Sequence, residues 1–253
     1  MAARLHTGPR LAATAILLAA AAPARADAPG AGGPDGPAPG DEARASLHYQ
    51  ATVATQAHPA FPAAYSGANS LRAGAESATS VVMDLFAGAR PWRGGELWLQ
   101  PELAGGRGLS ETLGVAAFPS GEVYRVGDPT PTLVVGRAFL RQTIGLGGGA
   151  VPVEADALRL AGTRARDALT ITAGKLSTTD VVDRVPFASD PHTQLMSWGL
   201  WASAAYDYPA DTRGYTYGIA ADLARGPWSA RGGLFLEPTA ANGMTLEWDV
   251  TRA

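Results

Sequence analysis

The chain has 253 residues, a formal net charge of −3 and no cysteine. No disulfide framework, thiol nucleophile or thiolate metal site can be built from it, and the acidic balance excludes a broadly basic nucleic-acid surface. Of its 20 basic residues only Lys175 is a lysine, and arginine is the better residue for fixed, bidentate polar contacts.

The first element is a targeting segment. Arg4 and Arg10 precede Leu11–Ala22, which is apolar or small apart from Thr14, and Ala24-Arg25-Ala26 offers a small-x-small cleavage site. This is the layout of a secretory signal peptide over residues 1–26, with an apolar core too short for a permanent anchor. Its removal leaves 17 basic against 23 acidic residues, a net charge of −6. Residues 27–46 are rich in Pro, Gly and Ala and read as a flexible leader that cannot bury a core.

From Leu47 the texture is that of strands. Leu47–Thr55 is the first, and Ser80–Ala89 the second, with Val81, Met83, Leu85 and Ala87 on one face. Glu96–Leu103 alternates Leu97, Leu99 and Leu103 against Glu96, Trp98, Gln100 and Glu102. Pro101 fits there only at an edge or with a bulge. Leu133–Leu146 and Ala168–Ser177 follow. Tyr215–Leu223 and Trp228–Leu236 form a pair around the turn-like Arg225-Gly226-Pro227, and Met244–Thr251 is a last strand. Alternation of period two puts successive side chains on opposite faces of a sheet. The reading is all-β, with one loop helix: Asp190 as N-cap, Pro191 at the first position, and a run to Ala205. The Gly145–Ala150 run reads as a tight turn at a strand end.

Little in the chain suggests catalysis. His6, His48, His58 and His192 are scattered, no G-x-S-x-G occurs, and the Asp180, Asp183, Asp190, His192 and Asp211 group reads as helix capping and loop solvation rather than a metal site. No cofactor is implied. The apolar strand faces can cover a soluble core, as in a secreted or periplasmic carbohydrate-binding sandwich, or meet outer-membrane lipid around a polar lumen. Aromatics near strand ends on the apolar side (Tyr215, Tyr217, Trp228, Trp248) favour the second, as interface girdles.

The strings LWLQPELAGGRGLSETLGVAAFPSGEVYRVG (97–127), RAFLRQTIGLGG (137–148), TITAGKLSTTDVVD (170–183) and SDPHTQLMSWGLW with YDYPADTRGYTYG (within 189–218) resemble the carbohydrate-selective porins of the OprB type. The resemblance spans about residues 47–253. It implies an antiparallel transmembrane β-barrel in the outer membrane that conducts mono- or oligosaccharides by passive diffusion, with sugars and lipid as partners and no nucleic acid. About eight to ten strands can be placed here, fewer than such a barrel needs, since each takes about 9–11 residues plus connections; the chain reads as an N-terminal portion, truncated at its C-terminus.

With the apolar rows toward lipid, Glu96, Trp98, Glu102, Arg137, Phe139, Arg141 and Arg231 become pore-lining candidates. They form either a mixed-charge, aromatic-bearing sugar path or a salt-bridge network bracing the wall. Residues 184–201, with Arg184, Asp190 and Trp198, and the following Asp211 and Arg213, are candidates for a constriction loop; packing over the barrel end is the alternative.

Overall fold

A computed structural model describes residues 17–23, 42–68, 70–112, 130–182, 188, 194, 208–240 and 243–249. Eight strands make one antiparallel sheet: β1 (Leu17–Pro23), β2 (Ala45–His58), β3 (Glu76–Trp92), β4 (Gly95–Gly106), β5 (Thr132–Val153), β6 (Gly162–Leu176), β7 (Thr216–Arg225) and β8 (Trp228–Phe235). β2 to β8 pair in chain order as a seven-stranded meander, and β1, from the predicted export segment, adds to the outer edge of β8. The sheet is open, with β1 and β2 at its edges. An edge strand offers unpaired amides to any extended segment, and the apolar run of β1 takes those of β8.

The predicted strands between Leu47 and Leu236 are all present. Pro101 sits at a register break, where Gln100 pairs with Arg137 but Pro101 pairs with Val135. Gly136 is the extra residue on β5, so the proline meets a bulge, the arrangement that tolerates its missing N–H. The bulge also resets the alternation. Leu133 and Val135 point to the exposed face before it, Ala138 and Leu140 after it, and Arg137, Phe139 and Arg141 share the covered face.

Which face is covered inverts the soluble pattern. On the apolar rows Leu99 is 47% and Ile219 48% exposed, whereas Trp98 is 3% and Gln100 1% exposed on the opposite face. Leu97, Leu140, Leu223 and Leu234 are exposed too, while Asp84, Glu96 and Glu102 are buried. A sandwich turns its apolar faces together. The described residues form a single open sheet whose polar row is the covered one, not two sheets with their apolar faces together.

The register shows how the sheet is staggered. One ladder row on the exposed face runs Leu47, Ala87, Leu99, Ala138, Lys175, Tyr217. It begins near the short-turn end of β2 and finishes at the long-loop end of β7. Strands that climb past one another in this way are tilted to the row, as a barrel wall requires. Trp92 and Trp228 stand exposed at the short-turn end, and Tyr217 and Trp248 at the other, their rings 5.0 Å apart. Tyr217 lies eight residues from Arg225, the partner of Trp228. That is about 26 Å along the strand, or about 20 Å of height once tilted, comparable with the roughly 25 Å apolar band of an outer-membrane barrel.

Three expectations need correcting. Met244–Thr251 is not a strand over its described residues: Thr239 N donates to Thr245 O and Glu247 N to Glu237 O, so the segment folds back on the chain leaving β8, with one bridge between Pro238 and Leu246. Gly145–Ala150 is not a tight turn but part of β5, with register breaks at Gly145/Gly147 and Gly147/Ala150. Tyr215 belongs to the covered face, buried, not to an aromatic girdle. The predicted helix from Asp190 to Ala205 lies outside the described residues, except for Gln194.

Candidate functional site

The covered face of β3 to β8 carries three layers. Across its middle runs another ladder row: Ser46, Gly88, Trp98, Phe139, Gly174, Gly218, Phe235. Each ring has a glycine directly across from it. A Cβ on Gly88 would stand 2.5 Å from the Trp98 ring, and one on Gly218 2.5 Å from Phe235. Removing the side chain lets each aromatic lie down over the neighbouring backbone. Trp98, Phe139 and Phe235 thereby pack with Leu160, Leu176 and Ala220 into one apolar cluster.

Toward the long-loop end lies a polar network centred on Arg137. Its Nε and Nη2 donate to the two carboxylate oxygens of Asp180, each at 2.7 Å, and Nη1 donates to Gln100 Oε1 at 2.6 Å. Gln100 Nε2 donates to Asp84 Oδ1 at 2.6 Å. Tyr215 OH donates to Glu102 Oε2, and the Arg137 guanidinium lies 5.2 Å from the Tyr215 ring centre. Asp180 closes a one-turn 3-10 helix, Thr178–Asp180, and also accepts from Ser177 N at 3.0 Å. A bidentate guanidinium–carboxylate pair of this kind is directional and strong.

Toward the short turns Glu96 is the hub. Its Oε2 accepts from Arg141 Nη1 and from Trp98 Nε1, both at 3.1 Å, and its Oε1 from Arg90 Nη2 at 3.3 Å. Arg141 also lies 5.1 Å from the Phe139 ring centre. Arg231 Nε pairs with Asp222 Oδ2 at 2.7 Å across β7 and β8, whose register sets the two residues opposite each other.

The pore-lining candidates Glu96, Trp98, Glu102, Arg137, Phe139, Arg141 and Arg231 therefore all lie on this face. Of the loop candidates, Asp211 shapes the chain entering β7: its Oδ1 accepts from Arg213 N at 2.8 Å and Tyr215 N at 3.1 Å. Arg213 stands within electrostatic reach of Glu102. Arg184, Asp190 and Trp198 lie outside the described residues. The sequence pattern passes over Asp84 and Arg90, assigns Tyr215 to the aromatic girdle and gives Asp180 to the loop. Asp84 and Arg90 were within reach, because they share a parity on β3 opposite Val81, Met83 and Leu85. Among the described residues no group of three or more His, Asp and Glu forms a metal-holding cluster.

A family model described as "Carbohydrate-selective porin, OprB family" matches residues 68–251. The chain belongs to that family. It is a family of outer-membrane transport channels rather than of enzymes, and the all-β meander with its inverted faces is consistent with it. No curated protein and no solved structure matches the chain. Within the family's frame four arginines of the covered face are in contact with carboxylates: Arg90 and Arg141 with Glu96, Arg137 with Asp180, Arg231 with Asp222. Such a wall presents polarity without a large net field.

Proposed function

We propose that the exported chain contributes to an outer-membrane pore through which mono- or oligosaccharides diffuse passively, its apolar rows in lipid and its Arg/Glu/aromatic rows lining the path. The observation that carries this reading is the inversion of burial, with Leu99 exposed and Gln100 and Glu96 covered. In water, the exposed apolar rows, such as Leu97 and Leu99 on β4, Leu133 and Leu140 on β5 and Ile219 and Leu223 on β7, would forfeit roughly 25 cal/mol for each Å² left wet; in lipid they cost nothing. Internally paired charges suit an uncharged, hydroxyl-rich solute, since they offer hydrogen bonds without concentrating one sign of ion. Glu96, Trp98, Glu102, Arg137, Phe139, Arg141 and Arg231 are the proposed lining.

Two measurements test it. After carbonate washing the protein is expected in the outer-membrane fraction, extracted only by detergent, and liposomes containing it are expected to swell in iso-osmotic glucose. A chain that stays in the soluble fraction, folded without detergent, would sink the reading. Arg231→Gln removes one positive charge and leaves Asp222 in the path. In a planar bilayer under a salt gradient the reversal potential should move toward cation preference, by roughly a twofold change in permeability ratio. A shift toward anions, or none, would place Arg231 away from the lumen.

A further inference from the structure

We infer that residues 154–161, the connection between β5 and β6, form a strap that narrows the solute path from the short-turn end and sets the size of sugar admitted; the inference rests on the porin reading above. The other short-turn connections are tight: Arg93-Gly94 joins β3 to β4, and Gly226-Pro227 joins β7 to β8. This one instead follows a long ribbon, in which β5 and β6 stay paired out to Val153 and Gly162. The ribbon bends at Gly147, Gly148 and Gly149, with φ of +111°, +77° and +86°, values that side-chain-bearing residues rarely adopt. The register breaks at the same place.

Beyond the bend the tip turns onto the covered face. Arg141 Nη1 donates to Leu158 O at 2.7 Å, and Arg90 donates to Ala161 O at 3.2 Å and Leu160 O at 3.4 Å. Ala43 N donates to Ala161 O at 3.1 Å, and Glu42 pairs with Arg90 at 2.7 Å, so the chain entering β2 fastens the same spot. The tip keeps its own shape through an Asp156–Arg159 bridge and Leu158 N donating to Asp156 Oδ1 at 2.8 Å. Leu160 is 0% exposed and packs into the Trp98, Phe139, Phe235 cluster, with Leu158 against its side. The strap thus covers the aromatic rings that a sugar's C–H face would stack on. Its anchors are the two arginines that also grip Glu96. A segment seated on the wall of a pore subtracts its own width from the path, and its apolar side chains set how closely a solute passes the rings.

The test uses the full chain in liposomes, comparing swelling in glucose with swelling in the trisaccharide raffinose. Leu158→Ser together with Leu160→Ser keeps the length but removes the apolar seat. The raffinose-to-glucose rate ratio should rise at least about threefold, with the heat-modifiable gel shift of a folded barrel retained. An unchanged ratio in the folded variant overturns the strap. A second variant does not depend on loosening anything: because the chain has no cysteine, Arg159→Cys provides a single thiol at the tip. Coupling a bulky methanethiosulfonate should cut glucose swelling about threefold, reversed by dithiothreitol; full labelling with undiminished swelling overturns the proposal. If the unsubstituted chain admits no glucose at all, the porin reading itself fails and takes the strap with it, whereas a conducting chain indifferent to both changes refutes the strap alone.

Discussion

Arg137→Ala will destabilise the folded chain by about 3–5 kcal/mol, measured as urea unfolding in detergent or lipid followed by tryptophan fluorescence. The size comes from what the substitution leaves behind. Asp180 and Gln100 both lose their short contacts to the guanidinium, while Asp84 and Glu102 remain covered beside them. A buried group stripped of its partner carries its desolvation cost without compensation. The converse change separates the pair from its surroundings. Arg137→Met with Asp180→Leu removes both charges and keeps most of the volume, so most of the loss should be recovered, as ion pairs replaced by apolar residues are close to neutral. If Arg137→Ala costs less than about 1 kcal/mol, the network is not a brace, and Arg137 is better regarded as a solvated lumen residue.

That experiment also divides the two meanings left open for the charged row. A sugar path and a bracing network predict the same residue types in sequence, because both need arginine and carboxylate on one face. Commitment to partners is the physical difference between them. Arg137 commits all three of its guanidinium nitrogens to Asp180 and Gln100, the arrangement a bracing lining residue requires, whereas the Arg231–Asp222 pair keeps about a third of each side chain exposed. The second pair is the better placed to meet a solute, and for that reason it is the one whose loss is expected in selectivity rather than in stability.

The meander was legible because period-two alternation survives in a single sequence: Leu97, Leu99 and Leu103 against Trp98, Gln100 and Glu102 needs no neighbour to be recognised. Even Pro101 narrows its place to an edge or a bulge, and the register break supplies the bulge. What escaped depends on contacts distant in sequence. Tyr215 falls in the apolar parity of β7 when counted along the strand, yet it precedes Thr216, where the ladder starts, and the Asp211 turn swings it inward to Glu102. Asp180 reads as a loop acid until β5 is laid beside β6 and Arg137 reaches it. Residues 154–161 look like an ordinary connection, since nothing in Glu154-Ala155-Asp156-Ala157 shows that arginines on β3 and β5 take the carbonyls that follow. Met244–Thr251 differs in the opposite sense: its alternation is clean, but over its described residues the fold-back through Thr239 and Thr245 leaves it a single bridge. Pattern identifies which face a residue occupies; partners decide what it does there.

The second large effect concerns the exposed rows. Leu99→Arg should cost about 2–4 kcal/mol when the chain is folded into lipid, because Leu99 lies near the middle of β4 and the penalty for a cation on the lipid face peaks at the bilayer midplane. On a wet surface the same change would stay within about 0.5 kcal/mol. Depth supplies the control. Leu133, the second residue of β5, stands at the long-loop end on the same exposed face, where an arginine is expected to cost no more than about 1 kcal/mol. Comparing Leu99→Arg with Leu133→Arg in one lipid, by unfolding midpoint at constant slope, therefore reads depth directly. A ratio near one, with both losses small, would mean that the leucine rows meet water or protein instead of acyl chains. A large loss at Leu99 alone would locate the hydrocarbon zone across the centre of the row Leu47, Ala87, Leu99, Ala138, Lys175, Tyr217, and would make the stagger of that row the tilt of a membrane wall.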